Sequence, residues 1–274
     1  MSTTALKDLA LPPGTLRVLQ LTDTHLYADP ASALLGINTL DSFQRVIAHF
    51  RDQYWPIDLL LATGDLVHDA SATGYRQLYE KLASFSVPVF CLPGNHDKPT
   101  VMHEQLSQGS VTTEPVHDLG GWRFVMLDSV IPREEGGHLG DDQLAILSKA
   151  LETSTRHTLV CMHHQPVGVG SAWIDTMAID NAAALFDVLD RHAHVRGLLW
   201  GHVHQTFEAE RNGVRLMASP STCVQFAPRV DAFKVDEEPP GFRLLALLPD
   251  GSIRSEVVRI EDLPQGLDVA SAGY

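Results

Sequence analysis

Five short stretches of the chain place polar, metal-binding side chains directly after an apolar run. In order they read LQLTDTHL, LLLATGDLVHD, CLPGNHD, TLVCMHHQP and LLWGHVHQ. Their carboxylate, imidazole and amide groups are of the kinds that bind metal ions and transfer protons. The candidate residues are Asp23, His25, Asp65, Asn95, His96, Asp97, His163, His164, His202 and His204.

Each stretch taken singly has an ordinary explanation. A D-x-H segment is usually a solvated loop, Gly-Asp at a strand end is usually turn chemistry, and His163 and His164 are compatible with one buried and one exposed histidine. The set as a whole is hard to explain in this way, because burying so many ionisable groups together is costly unless they coordinate a cation. The sequence therefore predicts a metal site.

The number of ligands indicates two metal ions. A structural zinc site uses four ligands, whereas two ions that share the Asp65 carboxylate would use seven and leave positions for water. Nitrogen and oxygen donors without a thiolate suit manganese, iron or zinc. The predicted ligands are Asp23, His25, Asp65, Asn95, His163, His202 and His204.

The charge of this site predicts an anionic substrate. Two divalent ions, the carboxylates of Asp23 and Asp65 and one hydroxide sum to about +1, and the neutral amide of Asn95 keeps that balance positive. Paired metal ions are well suited to in-line displacement at phosphorus. We therefore expect hydrolysis of a phosphate ester.

The elements that must position these residues alternate between strand and helix. In open α/β sheets the carboxyl ends of the strands face a common crevice. Residues i and i+2 of an extended chain point to one side, so the pairs Asp23/His25 and His202/His204 are each expected to serve one local site. Strands are predicted at Leu16–Leu21, Asp58–Thr63, Val87–Leu92, Trp122–Leu127, Thr158–Met162 and Val195–Trp200.

Helices are predicted between these strands, whereas the C-terminal third has the sequence pattern of strands joined by tight turns. Beyond about residue 200, the RNG and PDG segments are typical of hairpin turns and predict antiparallel strands. We expect one domain over residues 1–274, with a core at about 16–260, a loose N-terminus and a loose tail at 264–274. The helices are Leu40–Gln53 with Thr39 as N-cap, Thr73–Ala83, Val101–Gln108, Asp141–Leu151 and Asn181–Arg191.

Composition limits the function classes. The formal net charge of −14 over 274 residues argues against a nucleic-acid binder that relies on phosphate neutralisation. The first residues lack the apolar stretch of a secretory signal, and no run approaches the length of a membrane span. Cys91, Cys161 and Cys223 are single and widely spaced, so we expect no disulfide framework and a cytoplasmic location.

In their order, the D-x-H, GD, GNH[D/E], later His and GHxH motifs resemble those of the calcineurin-like binuclear metallophosphoesterase superfamily. RVLQLTDTHL, LLGINTLDSF, ATGDLVHD, LPGNHD, MHHQP, LLWGHVHQ and SPSTCVQFAP are more similar still to its bacterial class III 3′,5′-cyclic-AMP phosphodiesterases. The resemblance runs from about Arg17 to Ile260. It implies a four-layer αββα sandwich of two mixed β-sheets flanked by helices, and often a homodimer. The implied cofactors are iron or manganese, with zinc as an alternative, and the implied reaction converts cyclic AMP to 5′-AMP.

The resemblance also implies a role for each motif residue. His96 would donate a proton to the departing 3′ oxygen or stabilise its charge, Asp97 would orient the His96 imidazole, and a hydroxide bridging the ions would be the nucleophile. One ion would be held by Asp23, His25, Asp65 and His204, and the other by Asp65, Asn95, His163 and His202.

Other histidines are assigned to the substrate pocket or to the surface. The resemblance places a ligand at His163 and leaves His164 in the pocket wall. His138, in the glycine-rich EEGGHLGDDQ, is a further pocket candidate, although loop flexibility also explains that stretch. His68 either lines the pocket or is exposed, and we favour exposure. The predicted substrate contacts are His25, Asp65, Asn95, His96, His138, His164 and His204.

Three functions are compatible with these motifs. The leading interpretation is a cyclic-nucleotide phosphodiesterase with no nucleic-acid or membrane partner. A second keeps the chemistry and changes the substrate to another small phosphodiester or a phosphomonoester. A third is a metal-binding scaffold without catalysis, against which the presence of His96 argues, since a scaffold needs no proton donor.

Overall fold

The computed structural model describes residues 5–54, 56–263 and 265–273. Its strands are β1 (Leu16–Leu21), β2 (Ala33–Leu34), β3 (Ile37–Asn38), β4 (Leu59–Thr63), β5 (Val89–Leu92), β6 (Val111–Thr112), β7 (Val116–Leu119), β8 (Trp122–Met126), β9 (His157–Cys161), β10 (Val195–Trp200), β11 (Phe207–Arg211), β12 (Val214–Ala218), β13 (Gln225–Phe226), β14 (Val235–Asp236), β15 (Gly241–Leu247) and β16 (Ile253–Arg259). Its helices are α1 (Thr39–Gln53), α2 (Ala72–Ala83), α3 (Pro99–Leu106), α4 (Asp141–Glu152), α5 (Ala172–Asp175) and α6 (Ala182–Leu189), with a 3-10 turn at Leu6–Asp8.

Most strands of the described residues belong to two six-stranded mixed sheets. The first has the order β16-β15-β1-β4-β5-β6 and the second the order β11-β12-β10-β9-β8-β7. Strands β1, β4, β5 and β6 run parallel in the first sheet, as do β8, β9, β10 and β12 in the second. The carboxyl ends of the parallel strands therefore lie at one edge of each sheet.

Three apolar cores show how the sheets and helices stack. Leu61 of β4 and Leu199 of β10 belong to a core between the two sheets. Because successive residues of a strand point to opposite faces, Leu60 instead joins Phe43 of α1 in a core outside the first sheet. A third core packs Leu147 of α4 against the second sheet. The predicted four-layer sandwich of two mixed sheets flanked by helices is confirmed.

The predicted elements agree with the structure to within about two residues at each end. The predicted N-cap of α1 was wrong. Thr39 is the first helical residue, and the side chain of Asn38 accepts a hydrogen bond from the Asp41 N–H. Helix α3 begins at Pro99, earlier than predicted, because proline is favourable in the first turn, where its missing N–H costs nothing.

The C-terminal third contains the expected antiparallel hairpins, β11–β12 and β15–β16. Strand β12 also pairs in parallel with β10, so this region is part of both sheets and not a separate unit. Within the predicted tail, Pro264 and Tyr274 lie outside the described residues, and the Asp268 N–H donates to the Leu35 carbonyl. No helix in the described ranges is both long and apolar enough to span a membrane.

Candidate metal centre

The predicted ligands follow five strands whose carboxyl ends meet across the two sheets. Hydrogen bonds join the sheets at this point: the His202 N–H donates to the Asp23 carboxylate (3.0 Å), and His163 Nδ1–H donates to the Thr63 carbonyl (2.9 Å). Residues shortly beyond β1, β4, β5, β9 and β10 thus converge, and they are Asp23, Asp65, Asn95, His163 and His202.

The backbone at the ligand positions is left-handed. The φ angle is +54° at Asp23, +43° at His25, +50° at Asp65, +65° at His202 and +49° at His204. Side chains other than glycine rarely adopt this conformation, which costs roughly 1–3 kcal/mol at each residue. The backbone at these pairs is therefore not extended as expected. Asp23 and His25 nevertheless share one group of candidate ligand atoms, whereas His202 and His204 belong to different groups, so the expected pairing holds only for the first pair. Tight left-handed turns turn these side chains inward instead.

Two glycines leave the space that this arrangement requires. Gly64 has φ +95°, and a Cβ there would lie 2.3 Å from His163 Nδ1. Gly94 does not have positive φ, but a Cβ on it would lie 2.2 Å from Asp65 Oδ1. Both distances are shorter than any real contact, so a side chain at either position would displace a predicted ligand.

The buried ligand side chains form two groups joined by Asp65. Asp65 Oδ2 lies 3.3 Å from His163 Nε2 and 3.7 Å from His25 Nε2, so this carboxylate reaches both groups. The ligand atoms within each group lie within 4.8 Å of one another, and the groups are Asp23, His25 and His204, and Asp65, His163 and His202.

Hydrogen bonds behind the histidine rings fix their orientation. The Nδ1–H of His163 donates to a carbonyl at the end of β4, and the Nδ1–H of His204 donates to the Val224 carbonyl (2.9 Å). His25 Nδ1 lies 3.0 Å from His68 Nδ1, where one ring donates and the other accepts. Each of the three rings is thereby arranged with Nε2 towards the other ligands, as is usual for histidines that bind metal.

The STCVQF stretch forms part of the support for the first group. Ser221 Oγ donates to the Asp23 carbonyl (2.8 Å), and the Phe226 ring stacks on the His204 ring with centroids 4.3 Å apart and planes at 5°. Together with the Val224 carbonyl, these contacts hold one carboxylate and one imidazole from behind. The sequence resemblance in this stretch therefore has a physical basis.

Two residues test whether a cation fits the site. Asn95 Oδ1 and both ring nitrogens of His202 are buried and make no hydrogen bond within the described residues. Leaving such atoms unpaired costs about 1–3 kcal/mol each. A metal ion bound by the second group would satisfy Asn95 Oδ1 and one nitrogen of His202, so the donor set fits a metal.

Electrostatics favour neutral imidazoles at His25 and His202, an ionised carboxylate at Asp65 and a protonated imidazole at His163. Burial and neighbouring histidines hold the pKa of His202 well below its ordinary value, and burial does the same for His25. Burial alone would raise the pKa of Asp65, but His163 and His96 hold it well below its usual range. The Asp65 carboxylate in turn overcomes the effect of burial on His163 and raises its pKa to about 9. A cation that binds here must therefore displace the proton of His163.

His96 is half-buried beside the second group. Its N–H donates to Asp65 Oδ1 (2.9 Å), and its ring stacks on His68 with centroids 4.3 Å apart. His96 also lines a cavity of about 240 Å³ together with Asn95 and His202. The backbone of His96 is thus hydrogen-bonded to a predicted ligand, and its ring packs on His68 and borders the cavity.

The carboxylate of Asp97 joins two loops of the site. It accepts hydrogen bonds from the N–H groups of Leu66 (3.0 Å), Val67 (3.1 Å) and Gly94 (2.9 Å) and from the Tyr75 hydroxyl (2.8 Å). These contacts fix the loop after β4 against the loop after β5. They also hold the backbone from which His96 projects.

The remaining pocket candidates lie in different places. His164 is fully buried, with Nδ1 2.8 Å from Ser129 Oγ and its ring 4.6 Å from that of His202, behind the second group. His138 is 45% exposed, and its Nδ1 lies 2.5 Å from Asp180 Oδ1. The cavity lining includes Glu135 of the same loop but not His138.

Sequence reasoning missed some residues at the site. His68, for which we favoured exposure, is half-buried between His25 and His96, and its pKa is lowered to about 4, chiefly by burial and by His96. Its position three residues after Asp65 was the available signal. Trp173 and Phe233 line the cavity but follow no motif, so nothing in the sequence alone identified them.

Comparison with known proteins agrees with this geometry. Residues 16–206 match the family model for calcineurin-like phosphoesterase. The chain is 41% identical over 262 residues to the 3′,5′-cyclic adenosine monophosphate phosphodiesterase CpdA of Pseudomonas aeruginosa, covering 95% of this chain and 96% of that protein. It is also 41% identical to CpdA of Escherichia coli K12, over 94% of this chain and 95% of that one.

Among solved structures, the fold is similar to that of a dimetal phosphatase from Danio rerio, with a TM-score of 0.59 and 16% identity over 92% of this chain and 99% of that one. The family match covers well over half of the chain and contains each predicted metal ligand. The two groups of side chains joined by Asp65 form a binuclear metal site of histidine and aspartate ligands. The chain belongs to the calcineurin-like phosphoesterase family.

Proposed function

We propose that this protein hydrolyses 3′,5′-cyclic AMP to 5′-AMP at the binuclear metal site. The observation that carries the proposal is the pair of buried ligand groups joined by Asp65, which opens through His96 into a cavity. The identity of 41% over 95% of the chain to a cyclic AMP phosphodiesterase supports the choice of substrate.

The proposed ligands divide between two ions. When bound, the ions supply Lewis acidity at the phosphate and lower the pKa of water towards neutrality. Nitrogen and oxygen donors favour iron or manganese, with zinc as an alternative. One set comprises Asp23, His25, Asp65 and His204, and the other comprises Asp65, Asn95, His163 and His202.

His96 is the proposed proton donor of the reaction. Water supplies the oxygen of the new P–O bond, the bond between phosphorus and the 3′ oxygen breaks, and His96 gives a proton to that oxygen. The hydrogen bond from the His96 N–H to Asp65 Oδ1 ties the donor to the shared ligand. Asp97 acts on His96 through the loop, since the hydrogen bonds described for its carboxylate come from Leu66, Val67, Gly94 and Tyr75.

A substrate panel tests the proposal. Protein stripped of metal and reloaded separately with manganese or iron is assayed with cyclic AMP, cyclic GMP, bis(p-nitrophenyl) phosphate and p-nitrophenyl phosphate. We expect the highest kcat/KM with cyclic AMP and 5′-AMP as product by chromatography. A kcat/KM for the generic diester or monoester that equals that for cyclic AMP would favour another small phosphate ester, and formation of 3′-AMP would overturn the mechanism.

The cytoplasm is the proposed compartment, and a homodimer is the proposed assembly. Cys91, Cys161 and Cys223 are buried free thiols, which suits a reducing environment. The dimer is a prediction from the family resemblance, and light scattering on the purified protein measures it directly.

A further inference from the structure

The cavity beside the metal centre has two chemically different walls. Asn95, His96 and His202 form the polar wall at the metal groups, and Glu135 also lines the cavity. Trp173, Met177 and Phe233 form the apolar wall; they are half-buried and line the same cavity. The polar wall is sufficient for phosphate hydrolysis. The apolar side chains are therefore expected to contact an apolar part of the ligand.

The aromatic rings of the apolar wall are linked to the metal centre. The Trp173 ring lies 5.1 Å from that of Phe233 and 5.2 Å from that of Phe226, both nearly perpendicular. Phe226 in turn stacks on His204 at 4.3 Å. Edge-to-face contacts at such distances are favourable aromatic geometry. The wall is therefore held in a fixed position relative to the metal ligands.

A small apolar cluster supports this wall from behind. Leu34 and Ile37 of the LLGINT stretch pack with Cys223, Val224 and Phe226 of the STCVQF stretch. Trp173, Phe233 and Leu267 pack against the same cluster. Two segments that are far apart in sequence thus combine to brace the aromatic residues beside the cavity.

The segment after residue 264 closes one side of the cavity. Gly273 belongs to the cavity lining, and the Asp268 N–H donates to the Leu35 carbonyl (2.9 Å). Leu267 packs on the apolar cluster that also supports the aromatic wall. A cavity of about 240 Å³ has room for one small ligand.

We propose that Trp173 and Phe233 form a subsite for the nucleobase of a nucleotide whose phosphate lies at the metal centre. Flat heteroaromatic bases stack on aromatic side chains, whereas a sugar phosphate gains little from them. The subsite deepens the proposed function and rests on it for the choice of a nucleotide. It assigns base recognition to the rings braced by the LLGINT and STCVQF stretches.

Equilibrium binding separates the base from the phosphate. Isothermal titration of the metal-loaded protein compares 5′-AMP with ribose 5-phosphate, which lacks the base. We expect AMP to bind about 10- to 100-fold more tightly, and Trp173→Ala to remove most of that difference while ribose 5-phosphate stays within about twofold. Trp173→Phe, which keeps a ring, retains most of the preference. Phe207→Ala, a half-buried aromatic residue outside the cavity lining, is the matched control and changes neither affinity.

Kinetics give a second readout. With cyclic AMP, Trp173→Ala raises KM and leaves kcat nearly unchanged, because the reacting bond lies at the other wall. If Trp173→Ala fails to fold, Phe233→Ala carries the same test. Equal wild-type affinities for AMP and ribose 5-phosphate, or equal weakening of both by the variants, overturn the subsite. Failure to hydrolyse cyclic AMP together with a retained AMP preference would refute the proposed reaction and keep the subsite.

Discussion

Two sets of polar side chains lie where the sheets meet, and they differ in how completely their buried atoms are paired. One is the metal centre. The other, the Arg243 network, consists of Gln20, Glu208, Ser219, Arg243 and Ser255. Arg243 is fully buried on β15 and reaches residues of the opposite sheet. Both sets carry charge in the protein interior, so the difference between them shows what each is for.

The guanidinium of Arg243 has a partner on each nitrogen. Its Nε donates to Ser219 Oγ (3.0 Å), Nη1 donates to Glu208 Oε1 (2.5 Å) and to Ser255 Oγ, and Nη2 donates to the Ala218 carbonyl (2.6 Å). Ser219 Oγ in turn donates a hydrogen bond to Gln20 Oε1. A buried charge with such partners offsets most of its desolvation cost and joins the two sheets.

The metal centre has the opposite character. Asn95 Oδ1 and both nitrogens of His202 are unpaired among the described residues, and five ligand positions have positive φ. Unpaired buried atoms and a strained backbone are unfavourable unless a bound cation compensates them. The paired contacts of Arg243 thus fit a structural role, and the unpaired atoms together with the strained backbone at the metal centre fit a site for a cation. The two sets touch at Thr63, whose hydroxyl accepts from Gln20 Nε2 and whose carbonyl accepts from His163.

Asp65→Asn should give the largest loss, because it removes the carboxylate that joins the two groups. We expect fewer than two metal ions per chain by mass spectrometry. Turnover should fall more than about 10²-fold, since even changes behind metal ligands cost 10- to 100-fold. Asp52→Asn, the same substitution at an exposed site, is the control. Two ions per chain with wild-type turnover in the variant would show that Asp65 is not shared.

His96→Ala should lower turnover with the metal content intact. Acid catalysis contributes about 10²–10⁴-fold, so kcat for cyclic AMP should fall within that range. The matched control is His103→Ala, at an exposed position of α3. A variant that loses metal along with activity would assign His96 to metal binding and contradict its role as proton donor.

These two variants concern residues that the sequence identified, and the reason is physical. Apolar β-rich runs predict strands well, and parallel strands must place their carboxyl ends at one edge, so Asp23, Asp65 and His163 were expected together. The positive φ angles at the ligand positions were not predicted from the local sequence. Nor were the Arg243 network and the ring of Trp173, since both are assembled by residues distant in sequence.

Arg243→Met tests whether the Arg243 network serves stability and not catalysis. It removes the guanidinium that donates to the Ala218 carbonyl and to Ser219, and the lost contacts should lower the free energy of unfolding by about 3 kcal/mol. Glu208 is 43% exposed, so its carboxylate stays solvated and adds little to the loss. Urea denaturation of the metal-free protein measures the change, with Arg254→Met on the exposed face of β16 as control. Folded enzyme should keep near-wild-type kcat; a large fall in kcat without a loss of stability would refute the distinction.

His68→Ala should have the smallest effect, because His68 contacts the predicted ligand His25 and is not itself a predicted ligand. Its Nδ1 lies 3.0 Å from His25 Nδ1 and can accept a hydrogen bond from His25 Nδ1–H, the tautomer in which His25 Nε2 carries no proton. We expect metal affinity, measured by competition with a fluorescent chelator, to fall about 10- to 100-fold. His68→Gln, which restores an acceptor oxygen, should recover most of that loss. If the alanine and glutamine variants bind metal as tightly as the wild type, the contact between the two rings is packing alone. Metal affinity would then depend on the predicted ligands and not on the histidine behind them.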